Sequence, residues 1–415
     1  MLVFLLFLQV DSLSLDRAIT LALSQSPAYY ESKITLEKSR ILFYQTFSNL
    51  LPTISATAAY TKSEYPEGAS FTDYSGSITL NQSIFDLDII SSVFISSRQV
   101  KGTQIQHRAD VSNLILRLKT AYYNLINARE LLYASEIAIK RAEENLKLIE
   151  TKYTIGAASR LELLQGEVFH LRTLQDRAGA KTLEITAHEE LKSILGIHSD
   201  IYLTDTLIPP DTAKFPSLDS LALILEKVNY NMQLAQELRN IAKLDLVASY
   251  LAFLPRVSFF YGYAYSADSF ILDFQHYRDN AMKNYGISVS FPIFEIKSLV
   301  FNYLNAKKEV QLKEFSKKQA LLETEKSLRV TYYALVEAYE SLDFAKKSLE
   351  AATEASAIAK EQYALGAISF LDFLTTDKDL YDSRVSYTSS LSNLYIQRAQ
   401  LSYLLGELAF SKEWR

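Results

Sequence analysis

No cysteine occurs in the 415 residues, which excludes disulfides, thiolate metal sites, a cysteine nucleophile and acylation of an N-terminal cysteine. Glycine (11) and proline (8) stand at roughly half their usual share, so turns are few and the elements between them long. Tryptophan occurs once, against 27 tyrosines and 22 phenylalanines. The mild net charge of −5 gives no reason to expect nucleic acid or an anionic surface as partner. Beyond the first ten residues no stretch approaches the ~20 apolar residues of a membrane-spanning helix, so any membrane passage must be by strands. Residues 1–12 run apolar from Met1 to Val10 and close with Asp11 and Ser12. They resemble the core of a secretory signal without a basic leader or a small-x-small cleavage site, and are expected to be a remnant of one.

Catalytic and metal-binding patterns are also absent. His107, His170, His188, His198 and His276 are scattered, and His188-Glu189-Glu190 lacks the second histidine of a zinc helix. There is no phosphate-binding glycine loop and no GxSxG elbow. Glu/Lys runs such as Lys140–Glu150 read as solvated helix faces. No enzymatic activity, metal or cofactor is expected.

What is present is a duplication. Tyr122–Tyr123 recurs as Tyr332–Tyr333, the stretch from Tyr153 recurs from Tyr363, and Leu195–Gly196 recurs as Leu405–Gly406, all at one offset of 210 residues. More loosely, Leu51–Ser55 answers Leu254–Ser258, and Ser83–Asp86 answers Pro292–Glu295. The first repeat spans 13–196, with a strand hairpin at 52–85, a long helix at 87–155 and a return helix at 158–195. A proline-bearing linker, 197–216, follows. The second repeat spans 217–415, with a hairpin at 255–294, a long helix at 297–365 and a return helix at 368–410.

The long helices carry a heptad seam, Leu118, Ala121, Leu125, Ala128, Leu132, Ser135, Ile139, Ala142, Leu146, Ile149 and Tyr153, repeated from Leu328 to Tyr363. A helix over 87–155 would be ~100 Å long at 1.5 Å per residue, a rod that no single globular core can bury. The helices by themselves also fit a plain antiparallel coiled-coil scaffold.

Four segments alternate with period two. Ile54, Ala56, Ala58 and Tyr60 oppose Ser55, Thr57, Ala59 and Thr61. Ile78, Leu80, Gln82 and Ile84 oppose Ser77, Thr79, Asn81 and Ser83. Two further sets begin at Val257 and Tyr285. Segments of about 9–12 residues suit tilted membrane strands, and a Ser/Thr/Gly off-face suits a wet lumen. Tyr60, Tyr65, Phe71, Tyr74, Tyr265, Phe270, Tyr277 and Tyr285 gather near the outer ends, as an aromatic girdle would. Soluble hairpins packed on the helices are the bland alternative. If the strands do span a membrane, four cannot close a barrel, and open edges cannot sit in lipid, so several chains must pool them.

In order, duplication and spacing, the chain resembles the TolC-like outer-membrane efflux protein family over essentially its whole length. The carriers are the duplicated turn (Tyr153, Gly156, Ser159; Tyr363, Gly366, Ser369), the Leu51–Pro52 and Leu254–Pro255 strand entries, and the Ile-Phe-acid strand exits. The resemblance implies a mainly α fold with a membrane β part. Duplicated long-helix hairpins form an α-helical barrel, and four β-strands per chain contribute to a 12-stranded trimeric β-barrel. It implies a homotrimer in outer-membrane lipid with a large periplasmic portion. This would be a passive conduit for efflux or secretion, meeting a periplasmic adaptor (membrane fusion) protein and an inner-membrane transporter.

The resemblance further implies a periplasmic aperture. Its acidic positions fall on Asp372 and, three residues on, on Thr375, which departs from the family's acid. Tyr363 and Glu162 fall on the closing contacts, Ile368 replaces an arginine, and Leu87 stands where many relatives carry glycine after the strand-exit acid. Gly156, Ser159, Gly366 and Ser369 mark the helix-turn tips for adaptor docking. A periplasmic coiled-coil adaptor or scaffold is the alternative reading; it would carry soluble β-domains with charged outer faces.

Overall fold

A computed structural model describes residues 13–66, 68–210, 216–271, 274–291 and 296–406. The secretory remnant at 1–12, the middle of the linker, the Pro292–Glu295 strand exit and residues 407–410 of the last expected helix lie outside the described residues.

Each repeat opens with two helices: α1 (Leu15–Gln25) and α2 (Pro27–Ser48), then α5 (Leu218–Val228) and α6 (Tyr230–Leu251); the helix that the sequence suggests before the first strands, about 27–50, is α2, and α1 is additional. Proline accounts for the first break. Pro27 has no N–H to continue α1, and Ser26 before it is extended (φ −62°, ψ 126°). Strands β1 (Thr53–Glu64) and β2 (Ser70–Phe85) lead into the 68-residue α3 (Leu87–Thr154) and then α4 (Arg160–Leu195). The second repeat runs β3 (Arg256–Ala267), a short α7 (Phe274–Asn280), β4 (Met282–Ser290), the 69-residue α8 (Ile296–Ala364) and α9 (Phe370–Leu404). The return helices start two residues later than the spacing predicts because Ser159 and Ser369 are extended N-caps, not helical residues.

The chain forms two compact units, and each draws on both repeats. One comprises 1–33, 108–230 and 321–415, and the other 34–107 and 231–320. In the first, the heptad seam is the core. Leu118, Leu125, Ala128, Ala142 and Ile149 are buried on α3, as are Leu328, Leu335, Ala338, Leu342 and Ala359 on α8. The linker is fastened to this core. Leu13 and Leu203 form a parallel β-bridge, and the Tyr122 hydroxyl shares its proton between the Leu13 carbonyl (3.0 Å) and Asp205 Oδ2 (2.8 Å). Burial and the Asp205 carboxylate both push the Tyr122 hydroxyl's pKa upward, so it stays a donor.

In the second unit the strands form one antiparallel sheet in the order β1-β2-β3-β4. The register puts Ile54, Leu80, Tyr261 and Tyr285 in one cross-strand row and Ala56, Ile78, Tyr263 and Lys283 in the next. The apolar sets of all four strands therefore share a face. On the other face Ser55 meets Thr79 and Thr57 meets Ser77, each at 2.7 Å. Below the sheet, Glu237 on α6 is only 3% exposed and is held by Arg98 (3.2 Å) and Lys101 (3.4 Å) of α3. Arg256 at the foot of β3 pairs with Asp88.

The glycines that end the helices differ in what surrounds them. Gly196 (φ +70°) has room for no side chain, since a Cβ there would lie 2.8 Å from Pro27 Cδ and 3.1 Å from the Gln25 carbonyl. Gly156 (φ +76°) faces open space. Gly156→Ala is expected to cost about 1 kcal/mol for its left-handed backbone, and Gly196→Ala at least about 2 kcal/mol because a clash is added. Thermal unfolding of the two variants in detergent measures the difference; equal losses would refute the packing account.

Candidate functional site: the paired helix turns and the open sheet

The α3–α4 and α8–α9 turns share one construction. The Gly156 N–H donates to the Tyr153 carbonyl (3.0 Å) and the Ala157 N–H to that of Lys152 (2.7 Å); Gly366 and Ala367 repeat this on Tyr363 (3.1 Å) and Gln362 (2.8 Å). This is a Schellman closure, which needs a left-handed residue at the glycine position. Three residues on, a serine starts the return helix. Ser159 accepts from the Glu162 N–H (3.2 Å), and the Glu162 carboxylate accepts from the Ser159 N–H (2.7 Å), completing a capping box. Ser369 accepts from the Asp372 N–H (3.1 Å) and donates its hydroxyl to Asp372 Oδ2 (2.7 Å).

Glu162 and Asp372 therefore occupy equivalent places, third in their helices and engaged with the cap, Asp372 exposed and Glu162 half-buried. Thr375, one turn further along α9, is exposed and donates its hydroxyl back to the Leu371 carbonyl (2.9 Å). Tyr363 is placed differently. It is 5% exposed, whereas its repeat-mate Tyr153 is 39% exposed. The Tyr363 ring stacks on Phe373 (5.2 Å, 2° between planes), meets Phe370 at 5.3 Å and carries the Lys152 ammonium 4.0 Å above its centroid. Desolvation, with a smaller contribution from Glu162, raises the pKa of the Tyr363 hydroxyl.

Around Tyr363 the two turns are joined by a cluster of Ile149, Leu163, Ala359, Phe370, Phe373 and Leu374. Two contributors escape sequence reasoning. Gly166, inside α4, lets the cluster close: a Cβ there would stand 3.1 Å from Ile149 Cγ2 and 3.4 Å from Phe370 Cε1. A glycine within a helical pattern is the signal that could have found it. Asp377, on α9, is 6% exposed and paired with Arg141 of α3 at 3.0 Å. The Lys140–Glu150 run is thus not wholly a solvated face, since Arg141 turns inward to this carboxylate. Desolvation raises the Asp377 pKa, opposed by Arg141 and Lys360.

In the sheet, β1 and β4 are edge strands. Ile54, Ile78, Tyr285, Ile287 and Val289 stand exposed on the apolar face. Gln82, on the same face at the foot of β2, donates to the Leu50 carbonyl after α2 (2.9 Å). Among the described residues no helix is long and apolar enough to cross a membrane, and no group of three or more His, Cys, Asp or Glu could hold a metal ion.

Long duplicated helix hairpins with a four-stranded sheet, apolar on one face and hydroxyl-lined on the other, define a membrane-channel class of protein. Within that class the chain belongs to the outer membrane efflux protein family, whose model matches residues 18–197 and 226–407. It is similar to the outer membrane protein TolC of Escherichia coli, 21% identical over 87% of this chain and 76% of that protein. It is also similar to the probable efflux pump outer membrane protein TtgC of Pseudomonas putida, 26% identical over 87% and 78%. Among solved structures it shares its fold with the outer membrane channel CmeC of Campylobacter jejuni, at TM-score 0.82 and 19% identity over 94% of this chain and 85% of that one. CusC matches at TM-score 0.85 and 17% identity, over 96% and 93%. The protein is an outer-membrane efflux channel, in a family of channel proteins; the adaptor alternative is not favoured.

Removing Arg141 would strand a buried carboxylate. Arg141→Met is expected to destabilise by about 3 kcal/mol at pH 7, and Arg141→Met/Asp377→Leu by less, because a buried pair is costlier to halve than to replace. The folded-state pKa of Asp377 lies above its unfolded value, so folding favours the neutral acid, and this contribution is lost as pH rises through the folded pKa. Without Arg141 that pKa rises further, so the defect of the single variant should shrink as the pH is lowered from 7 towards 5. Melting curves across that range check the sign; a defect that grows in acid would contradict it.

Proposed function

We propose that three copies of this chain assemble into a passive conduit, pooling their sheets into a 12-stranded barrel and their long helices into a tunnel. The observation that carries the reading is the sheet. Its apolar positions fall in register on one face, and its two outer edges find no partner within the described chain. In hydrocarbon each unmade backbone hydrogen bond costs several kcal/mol, so β1 of one copy pairs with β4 of the next. A 12-residue strand is ~40 Å long and, tilted by about 45°, spans ~28 Å, close to the hydrocarbon thickness. Along the helices, Leu161, Leu164, Val168 and Leu371 are exposed near the turns, a surface that a neighbouring copy or an adaptor would cover.

The turns at Gly156–Ser159 and Gly366–Ser369 form the periplasmic tips that meet an adaptor, itself coupled to an inner-membrane transporter. Such partners fit the efflux-pump relatives. The domain division follows the duplication, with 197–216 between the halves. No catalytic step is assigned to the chain. Asp372, repeated three times around the axis, forms a narrow acidic ring. Its cap bond to Ser369 fixes the carboxylate on the first turn of α9 and leaves the second oxygen free. Tyr363 and the capped Glu162 brace the turn behind it, and Thr375 widens the next level by replacing an acid with a hydroxyl. An acidic constriction attracts cations and repels anions.

In planar bilayers the channel is expected to be cation-selective, and Asp372→Ala to shift its reversal potential towards that of a non-selective pore while assembly is kept. Unchanged selectivity removes the acidic ring from the account. A chain that is monomeric and soluble without detergent removes the conduit itself.

A further inference from the structure

Between the Val257–Val289 row and the Tyr60–Tyr74 row, Lys283 is the one charged side chain on the apolar face of the sheet. It is exposed, lies opposite Tyr263 and has Tyr285 next to it along β4. Among the described residues no carboxylate is ion-paired with it. A lysine facing lipid is costly at the bilayer midplane and nearly free at the headgroup level, so Lys283 is placed at the level where lipid phosphates stand.

The surroundings are those of an interface. The Tyr263 hydroxyl shares its proton between the carbonyls of Tyr277 (3.2 Å) and Arg278 (2.9 Å) near the end of α7. Tyr265, on the same face, is hydrogen-bonded to His276 Nε2 (2.9 Å), and its ring meets that of Tyr277 edge-on at 4.7 Å. The β3–β4 connection is thus folded against the apolar face, adding rings and a helix where tyrosine favours the boundary between acyl chains and water. Arg278 is answered by Asp279 at 3.2 Å. The adjoining copy would offer Glu64 from the edge of β1, but that carboxylate is already held by Lys62 at 2.6 Å.

We propose that Lys283, with Tyr263, Tyr265 and α7, forms a binding site for the phosphate of an outer-leaflet lipid. The ammonium takes the phosphate, and the rings flank the glycerol or sugar backbone beneath it. The inference rests on the reading that the apolar face meets lipid. Each assembled channel would carry three such sites, one per chain.

The test uses the full chain in phosphatidylcholine nanodiscs doped with diphosphorylated lipid A or with its dephosphorylated form. Lipid retained per protein is counted by native mass spectrometry. The wild-type chain should retain the phosphorylated form on the order of fivefold better, which is what one lysine near an anionic lipid surface is worth. Lys283→Gln should bring the two forms to parity, and Lys283→Arg and Lys326→Gln, on α8, should keep the preference. Equal retention of both lipids by the wild type, or an undiminished preference in Lys283→Gln, overturns the site and leaves the lipid-facing sheet standing. A chain that retains neither lipid and needs no detergent overturns the membrane reading beneath it.

Discussion

A strand edge carries backbone N–H and C=O groups that hydrocarbon cannot satisfy, and the rest of this protein answers to that constraint. Four strands give a sheet with two edges, β1 and β4, and an apolar face on which Ile54, Ile78, Tyr285, Ile287 and Val289 stand exposed. Among the described residues neither edge finds a partner. In the proposed assembly, pairing β4 with a neighbour's β1 would answer both at once, because it would close the backbone ladder and turn the apolar rows towards lipid. The hydroxyl rows, Ser55 on Thr79 and Thr57 on Ser77, would then line water.

The helical part solves a different problem, reversing a very long helix without a folded domain at its end. Both turns use a left-handed glycine to satisfy the last carbonyls and a serine cap to satisfy the first amides of the return helix. The duplication is close in backbone and loose in side chains. Tyr363 is sunk among Phe370, Phe373 and Lys152, whereas Tyr153 stands in the open. The matching tyrosines of the two turns therefore differ in burial, while both turns share one apolar cluster. The Arg141–Asp377 pair and the Gly166 notch lie between the two hairpins, so the repeats are joined by charge and close approach as well as by the seam. An aperture built on Asp372 would inherit its position from these contacts.

Much of this was legible in the chain. The constant offset of the tyrosine pairs and turns, the 3–4 seam and the period-two segments are local patterns, and local patterns survive in a one-dimensional reading. So did the turn glycines and capping serines, whose roles depend on neighbours three to five residues away. The short α7 was not legible, because seven residues show no period. Nor was α1 legible ahead of the helix that begins at Pro27, since its 11 residues give only about three turns of pattern.

By itself the sequence determined the repeat, the helix and strand types and the apolar face of each strand. Each follows from composition or spacing along the chain. Only the tertiary structure decided which of two matching residues is buried, that Arg141 leaves its solvated run to meet Asp377, that Gly166 must lack a side chain, and that Lys283 shares a face with four strands' worth of apolar residues. The physical reason is common to all four. Burial, ion pairing and cross-strand register are set by residues tens to hundreds of positions away, and no local period encodes those partners.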